Sequence, residues 1–314
     1  MTTPRRTALA MLAGLALPGI AHAGRREPVE MLVPAPPGSA PDRWARGMAP
    51  FLERAWPRQP VIVRNQPGRH GLDALGELAQ AGRRKVVGVL TTPLILARAV
   101  ETAEASPLSR ISPLAALIEE PVILVAAPGG AGSVEALRDA APAGVAIGTP
   151  PAGTGPHLTG LRLADSAGLP LLVFPTAAAA RQAAAAGHVA AAVLTLPDAI
   201  GYLRDERLVA LGVASSRRIA LLPDLPTLRE AGLEALGATR RGFALSPDAP
   251  PEWRSLLLAG LGTLANDPDL AAQCAENGQV PRFLGHEAWS ALLARQDQEL
   301  RRRWREDPWL PRRA

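Results

Sequence analysis

The chain has 314 residues, 47% of them hydrophobic and 20% charged, with 34 basic residues against 29 acidic ones. That length suits two domains better than one. The mild positive excess, carried by arginine everywhere except Lys85, lacks the clustered basic face with interleaved aromatics that nucleic-acid binding needs, so no nucleic-acid partner is expected. One cysteine, Cys274, excludes an internal disulfide and a cysteine-based metal site, and His22, His70, His157, His188 and His286 show no metal-ligand spacing.

The N-terminus reads as a targeting segment. Arg5 and Arg6 precede an apolar stretch from Thr7 to Ile20, and Ala21-His22-Ala23 is a small-x-small cleavage site. The stretch is short for a membrane span. Residues 1–23 are therefore expected to be a signal peptide, with the mature chain starting at Gly24 in the periplasm. Arg5-Arg6-x-x-Leu9 is a weak twin-arginine pattern, so the export route stays open.

Beyond the leader, short apolar runs predict strands at about 29–35, 60–65, 85–91, 121–127, 144–149, 169–174, 189–195, 208–215 and 242–247. Helical patterns lie between most of them. Residues 41–56 put Trp44, Met48, Phe51 and Leu52 on one face, with Pro50 expected to kink the helix. Thr227-Leu228-Arg229-Glu230 has capping-box spacing and Gly232 would close a short helix. Residues 251–265 and 286–305 read as amphipathic helices. Alternating strands and helices argue for an α/β protein with largely parallel sheets. No flexible linker divides the chain, which suits two domains joined by two extended crossings, with 121–127 and 242–247 as the candidates.

Three Gly/Pro turns follow strands. Pro36-Pro37-Gly38-Ser39-Ala40-Pro41-Asp42 opens the first helix, where free N–H groups and the helix dipole suit a carboxylate or phosphate. Gly148-Thr149-Pro150-Pro151-Ala152-Gly153-Thr154-Gly155-Pro156-His157 is a second such turn. It lacks the Walker lysine and the dinucleotide glycine spacing. Asn65-Gln66-Pro67-Gly68-Arg69-His70-Gly71 is the third. Ligands of open parallel sheets bind beyond the carboxyl ends of the strands, so these turns should line one crevice. Asp42 can act as a helix cap or accept hydrogen bonds from water and substrate. His157 can serve as a base, though the chain holds no Gly-x-Ser-x-Gly elbow to pair with it, or sit as a capping or core histidine.

These motifs, taken in order, resemble the extracytoplasmic solute-binding proteins of tripartite tricarboxylate transporters, the Bug family. Val33 to Asp42 is similar to the family's V-P-F-P-P-G-G-x-x-D, Asn65 to Gly71 to its N-x-P-G-A-G-G, and Gly153 to Leu158 to its G-S-P-S-H-L. Leu222-Pro223-Asp224-Leu225-Pro226-Thr227 with Glu230-Ala231-Gly232 is similar to L-P-D-V-P-T-x-x-E-A-G, and Phe243 to Pro247 sits where the family has F-G-L-V-A-P. The resemblance implies a periplasmic-binding-protein-like Venus flytrap: domain I from 24–124 and 243–314, domain II from 125–242, two crossing strands and a ligand between. It implies a monomeric, non-enzymatic receptor without a cofactor or metal, whose partners are a small carboxylate and the subunits of a membrane transporter. The residues carried over as ligand-binding are Gly38, Ser39, Ala40 and Asp42 from one domain and Thr149, Gly153, Thr154 and His157 from the other. Departures are Ser39 for a glycine, Pro150 and Pro151 where N–H donors are expected, and Phe174-Pro175-Thr176 for a Y-K-G loop. A receptor reporting to a sensor protein, and a hydrolase using His157, are the alternatives.

Overall fold

A computed structural model describes residues 27–56, 59–140 and 145–311. The expected leader lies outside them. The elements in chain order are β1 (Val29–Val33), α1 (Ala40–Ala55), β2 (Val61–Asn65), α2 (Leu72–Ala79), β3 (Val86–Thr92), α3 (Leu94–Glu101), β4 (Ser112–Ala126) and α4 (Val134–Ala140). They continue with β5 (Ile147–Thr149), α5 (Gly155–Ala167), β6 (Leu171–Val173), α6 (Ala177–Ala185), β7 (Ala191–Thr195), α7 (Leu196–Arg204) and β8 (Val209–Val213). Last come β9 (Ala238–Leu245), α8 (Pro251–Leu264), α9 (Pro268–Glu276), β10 (Val280–Leu284) and α10 (His286–Glu306).

The architecture is α/β with two sheets joined through one strand. In the first sheet β2, β1 and β3 are parallel, and β9 joins β3 antiparallel. β4 pairs with β9 from Ser112 to Pro121, while β10 lies on its other side. From Val122 onward β4 pairs instead with β7 and β8, and β5 and β6 extend that second sheet in parallel. The chain thus changes sheet at Pro121–Val122 without leaving the extended conformation. It returns where Gly237 N–H donates to Ala214 at 2.8 Å and Ala238 pairs with Pro121. All of β9 belongs to the first sheet, so the return falls ahead of the run 242–247 in which it was expected.

Helices cover both faces of each sheet, because the buried strands are apolar on both sides. Trp44, Met48, Phe51 and Leu52 of α1 share a core with Trp253, Leu257 and Leu261 of α8. On the opposite face α2 and α3 pack with Trp289 and Leu293 of α10. The second sheet has Leu163 of α5 on one face and Ala180, Ala184 and Ala199 of α6 and α7 on the other. α1 runs on through Pro50 to Ala55. The lost hydrogen bond at proline is offset by the flanking Met48, Phe51 and Leu52, all buried.

Three local readings differ from the structure. The first half of β4, Ser112 to Glu120, escapes the strand pattern because its Ala, Leu and Glu residues favour helix. β10 is hidden by Pro281 and Arg282. At Thr227–Gly232 the capping-box bonds form, Glu230 N–H to Thr227 Oγ1 at 3.0 Å and Thr227 N–H to Glu230 Oε2 at 2.6 Å, but they close a turn and no helix follows.

Candidate functional site

The first and second Gly/Pro turns are one structure built twice. Both read Pro-x-Gly-[Ser/Thr]-x-Pro-x: Pro36 to Asp42 between β1 and α1, and Pro151 to His157 between β5 and α5. Gly38 has φ +76° and Gly153 +75°, the left-handed region that glycine enters without strain. The next residue is the helix N-cap, Ser39 at φ −70°, ψ 165° and Thr154 at φ −70°, ψ 158°. Each cap hydroxyl donates back to the first proline's carbonyl, Ser39 Oγ to Pro36 at 2.6 Å and Thr154 Oγ1 to Pro151 at 2.8 Å. Each accepts the N–H of the third helical residue, Asp42 at 3.4 Å and His157 at 3.3 Å. That third residue then accepts the glycine N–H: Gly38 N–H to Asp42 Oδ2 at 2.8 Å, Gly153 N–H to His157 Nδ1 at 3.3 Å.

This closure decides which donors are left for a ligand. The Gly38 and Gly153 amides, both expected to face an anion, are spent inside their own turns. Ser39 N–H goes to Pro36 and Thr154 N–H to Pro151. Among the described residues the amides of Ala40, Ala152 and Gly155 carry no hydrogen-bond partner. The first turn is open, with Gly38 and Ala40 exposed and Ser39 half-buried.

Asp42 ties the first turn to the third motif. Asn65 Nδ2 donates to Asp42 Oδ1 and to the Ala35 carbonyl, both at 2.9 Å, and Arg46 Nε bonds the same carboxylate at 3.1 Å. Arg46, the Gly38 amide and Asn65 together hold the Asp42 carboxyl well below the usual range, at about 2. It is 3% exposed and ionised at any physiological pH. Arg43 donates to the Gly38 carbonyl. Two guanidinium groups and a helix N-terminus therefore surround one carboxylate, leaving the mouth of the turn electropositive.

His157 is only 1% exposed. Burial is the main cause that drives its pKa down to about 4, with Arg303 and Arg98 adding to it. The neutral ring with Nδ1 as acceptor is the form the turn requires. The second turn does not touch the first through Gly153. A Cβ there would stand 2.9 Å from Ala97 Cβ and 3.0 Å from Glu101 Oε1, so the glycine admits the close approach of α3. Thr149 is buried with its methyl facing Gly160 of α5.

The sequence gives no sign of a polar cluster beneath these turns. Arg241 of β9 bonds Glu120 of β4 through Nε at 2.6 Å and Nη2 at 3.1 Å, and Thr91 of β3 through Nη1 at 3.2 Å. Gln279 Nε2 adds a bond to Glu120 at 2.9 Å, and the guanidinium lies 5.9 Å from the Trp44 ring. Asp198 of α7, bonded by the Thr195 hydroxyl at 2.7 Å, sits close enough to feel Glu120; burial first, then Glu120, pushes its pKa up. The pair bridges the crossing strands at the point where the chain changes sheet. Only the alternation of β4 and β9 could have found it, since Glu119–Arg240 pair on one face at 2.6 Å and Glu120–Arg241 on the other. Among the described residues no cluster of histidine, cysteine or carboxylate suits a metal ion, and no helix is long and apolar enough to cross a membrane.

A family model described as the tripartite tricarboxylate transporter family receptor matches residues 46–282, beginning just after the first turn. Protein BugT of Bordetella pertussis is 29% identical over 230 residues, 70% of each chain. An Agrobacterium vitis protein from the ttuE–ttuC′ intergenic region is 26% identical over 287 residues, 86% of this chain and 82% of its own. Among solved structures, a TctC solute-binding protein from Polaromonas matches with a TM-score of 0.76 at 24% identity, covering 90% of this chain and 99% of that one. MatC of Rhodopseudomonas palustris, solved with bound malate, matches at 0.70 and 22%, covering 90% and 98%.

Proposed function

This chain belongs to the family of tripartite tricarboxylate transporter receptors, and from that premise we propose that it is a periplasmic solute-binding protein for a small carboxylate. Export removes residues 1–23. Residues 24–121 and 238–314 form one domain and 122–237 the other, and the solute is held between them. The loaded protein then hands it to the membrane subunits of a transporter. The duplicated turn carries the reading. Each domain contributes a helix N-terminus, capped by a hydroxyl and held rigid by its own third residue, with a backbone N–H to spare. Rigid amides at a helix start favour an anion over a neutral solute and need no ordering when it binds. The malate bound by MatC and the adipate bound by another R. palustris relative belong to the same chemical class. His157 supports a positioning role over catalysis, since its Nδ1 is engaged by the turn and its low pKa leaves a weak base.

Calorimetry of the mature protein against mono-, di- and tricarboxylates, with neutral and cationic solutes as controls, tests this. A saturable signal confined to carboxylates is expected. Ala40→Pro removes the spare N–H of the first turn at a helical position that proline tolerates, and should weaken that binding at least about tenfold, the worth of one charged hydrogen bond. Binding of neutral or cationic solutes instead, or full carboxylate affinity in A40P, would refute the assignment.

A further inference from the structure

A groove of about 1270 Å³ runs along the crossing strands, away from the first turn. None of Gly38, Ser39, Ala40 and Asp42 lines it. One wall comes from the loop after β8 and from Leu236–Ala238. The other comes from β10 and α10, and Glu119 and Arg240 of the crossing strands form its floor. Its volume exceeds that of ordinary small-molecule pockets.

The charges in this groove are unbalanced. Six arginines line it (Arg162, Arg217, Arg218, Arg240, Arg282 and Arg295) against three carboxylates, Glu119, Glu234 and Glu299, and of the six Arg218 is matched from outside the lining by Glu230 at 3.1 Å. Every one of those carboxylates is already engaged. Glu299 pairs with Arg162 at 2.6 Å, Glu119 with Arg240 at 2.6 Å and Arg282 at 3.6 Å, and Glu234 with Arg229 at 3.0 Å. Arg217 and Arg295 are exposed and have no ion-pair partner among the described residues, and the Nε of Arg240 is buried without a hydrogen bond. Apolar surface is interleaved with these cations: Leu236 is 46% exposed, and Leu158, Ile219 and Leu292 line the same space.

We infer that this groove is a docking site for an acidic, partly apolar peptide segment of a protein partner. The volume, the unmatched guanidinium groups and the apolar strips between them fit an extended chain carrying carboxylates and aliphatic side chains in alternation. A lone small anion would leave most of the groove empty. Positive charge on both walls would also speed encounter with such a segment, an effect that salt screens. None of the first-turn residues takes part and of the second turn only Gly155 lines the groove, so a change confined to the first turn separates this inference from the carboxylate cleft.

The probe is a short fluorescein-labelled peptide of alternating glutamate and leucine, titrated against mature protein and followed by fluorescence anisotropy. Saturable binding that weakens with salt is expected, with none for the lysine–leucine counterpart. The double variant R217E/R295E should bind at least tenfold more weakly, and R83E, an exposed charge reversal outside the groove, should match the wild type. A40P should also bind the peptide normally, which separates failure of the cleft reading from failure of this one. Unchanged peptide affinity in R217E/R295E overturns the inference. So does displacement of the peptide by free glutarate at matched carboxylate concentration, which would make the groove a small-anion site.

Discussion

His157 should make the second turn acid-sensitive. Its pKa in the fold is about 4 against 6.5 for the free side chain, because the ring is buried and Arg303 and Arg98 lie near. A depressed folded value means that the unfolded chain takes up the proton first. The stability this residue confers is then fully present above 6.5 and is lost as the pH falls toward 4. A shift of that size corresponds to about 3 kcal/mol. Protonation would also convert Nδ1 from acceptor to donor and orphan the Gly153 N–H it now accepts. His157→Asn supplies a carbonyl oxygen near the same position without titrating. Urea unfolding at stepped pH values should show the wild type losing about 3 kcal/mol more than the variant between pH 7 and 4. Carboxylate titration, common to both proteins, cancels in the difference. Parallel loss in the two proteins, or a His157 ring resonance titrating near its ordinary value, would refute the reasoning.

Other outcomes follow from the same contacts. Arg241→Met leaves Glu120 buried with Gln279 as its remaining partner, which should cost about 3–5 kcal/mol in unfolding free energy; adding Glu120→Leu should recover most of it, and a double variant as unstable as the single one would show that the pair is not the cause. Asp198 has a raised pKa, so the stability it confers is present below its unfolded value and lost as the pH rises through the folded one. Asp198→Asn should therefore be more stable than wild type at pH 7 and lose that advantage near pH 3.5, roughly the ordinary carboxylate range, as thermal melts at the two pH values would reveal. Burial pushes the Cys274 thiol up to about 12, so iodoacetamide should fail to modify the folded protein at pH 8 and react once urea unfolds it. Intact mass of the exported protein should place its first residue at or near Gly24.

The sequence makes the architecture readable where each element stands alone in its period. Residues 41–56 and 286–305 announce α1 and α10 through apolar stripes, and Val29 to Val33 announces β1 through an apolar run interrupted only by Glu30. It fails where tertiary pairing overrides composition. Ser112 to Glu120 has the residues of a helix and becomes a strand because β9 and β10 flank it on both sides. The return crossing is hard to place from sequence for a related reason: nothing local distinguishes a strand that enters a sheet from one that leaves it.

The candidate site divides along the same line. Its backbone was legible, since Pro, Gly and a hydroxyl residue before a helix specify the turn by chemistry that acts over a few residues. Its side chains were not, because their partners lie elsewhere in the chain. Asp42 allows two readings, and the bonds from Asn65 and Arg46 that occupy its acceptors support the structural one. His157 allows a catalytic and a capping reading, and its burial and the bond from the Gly153 amide support the second. The same residues explain why the amides of Gly38 and Gly153 are no longer free. A turn stiff enough to hold an anion without reorganising must satisfy most of its own donors, so the groups most conspicuous in the sequence set the geometry. The inconspicuous amides of Ala40, Ala152 and Gly155 are the ones left without a partner in the turns.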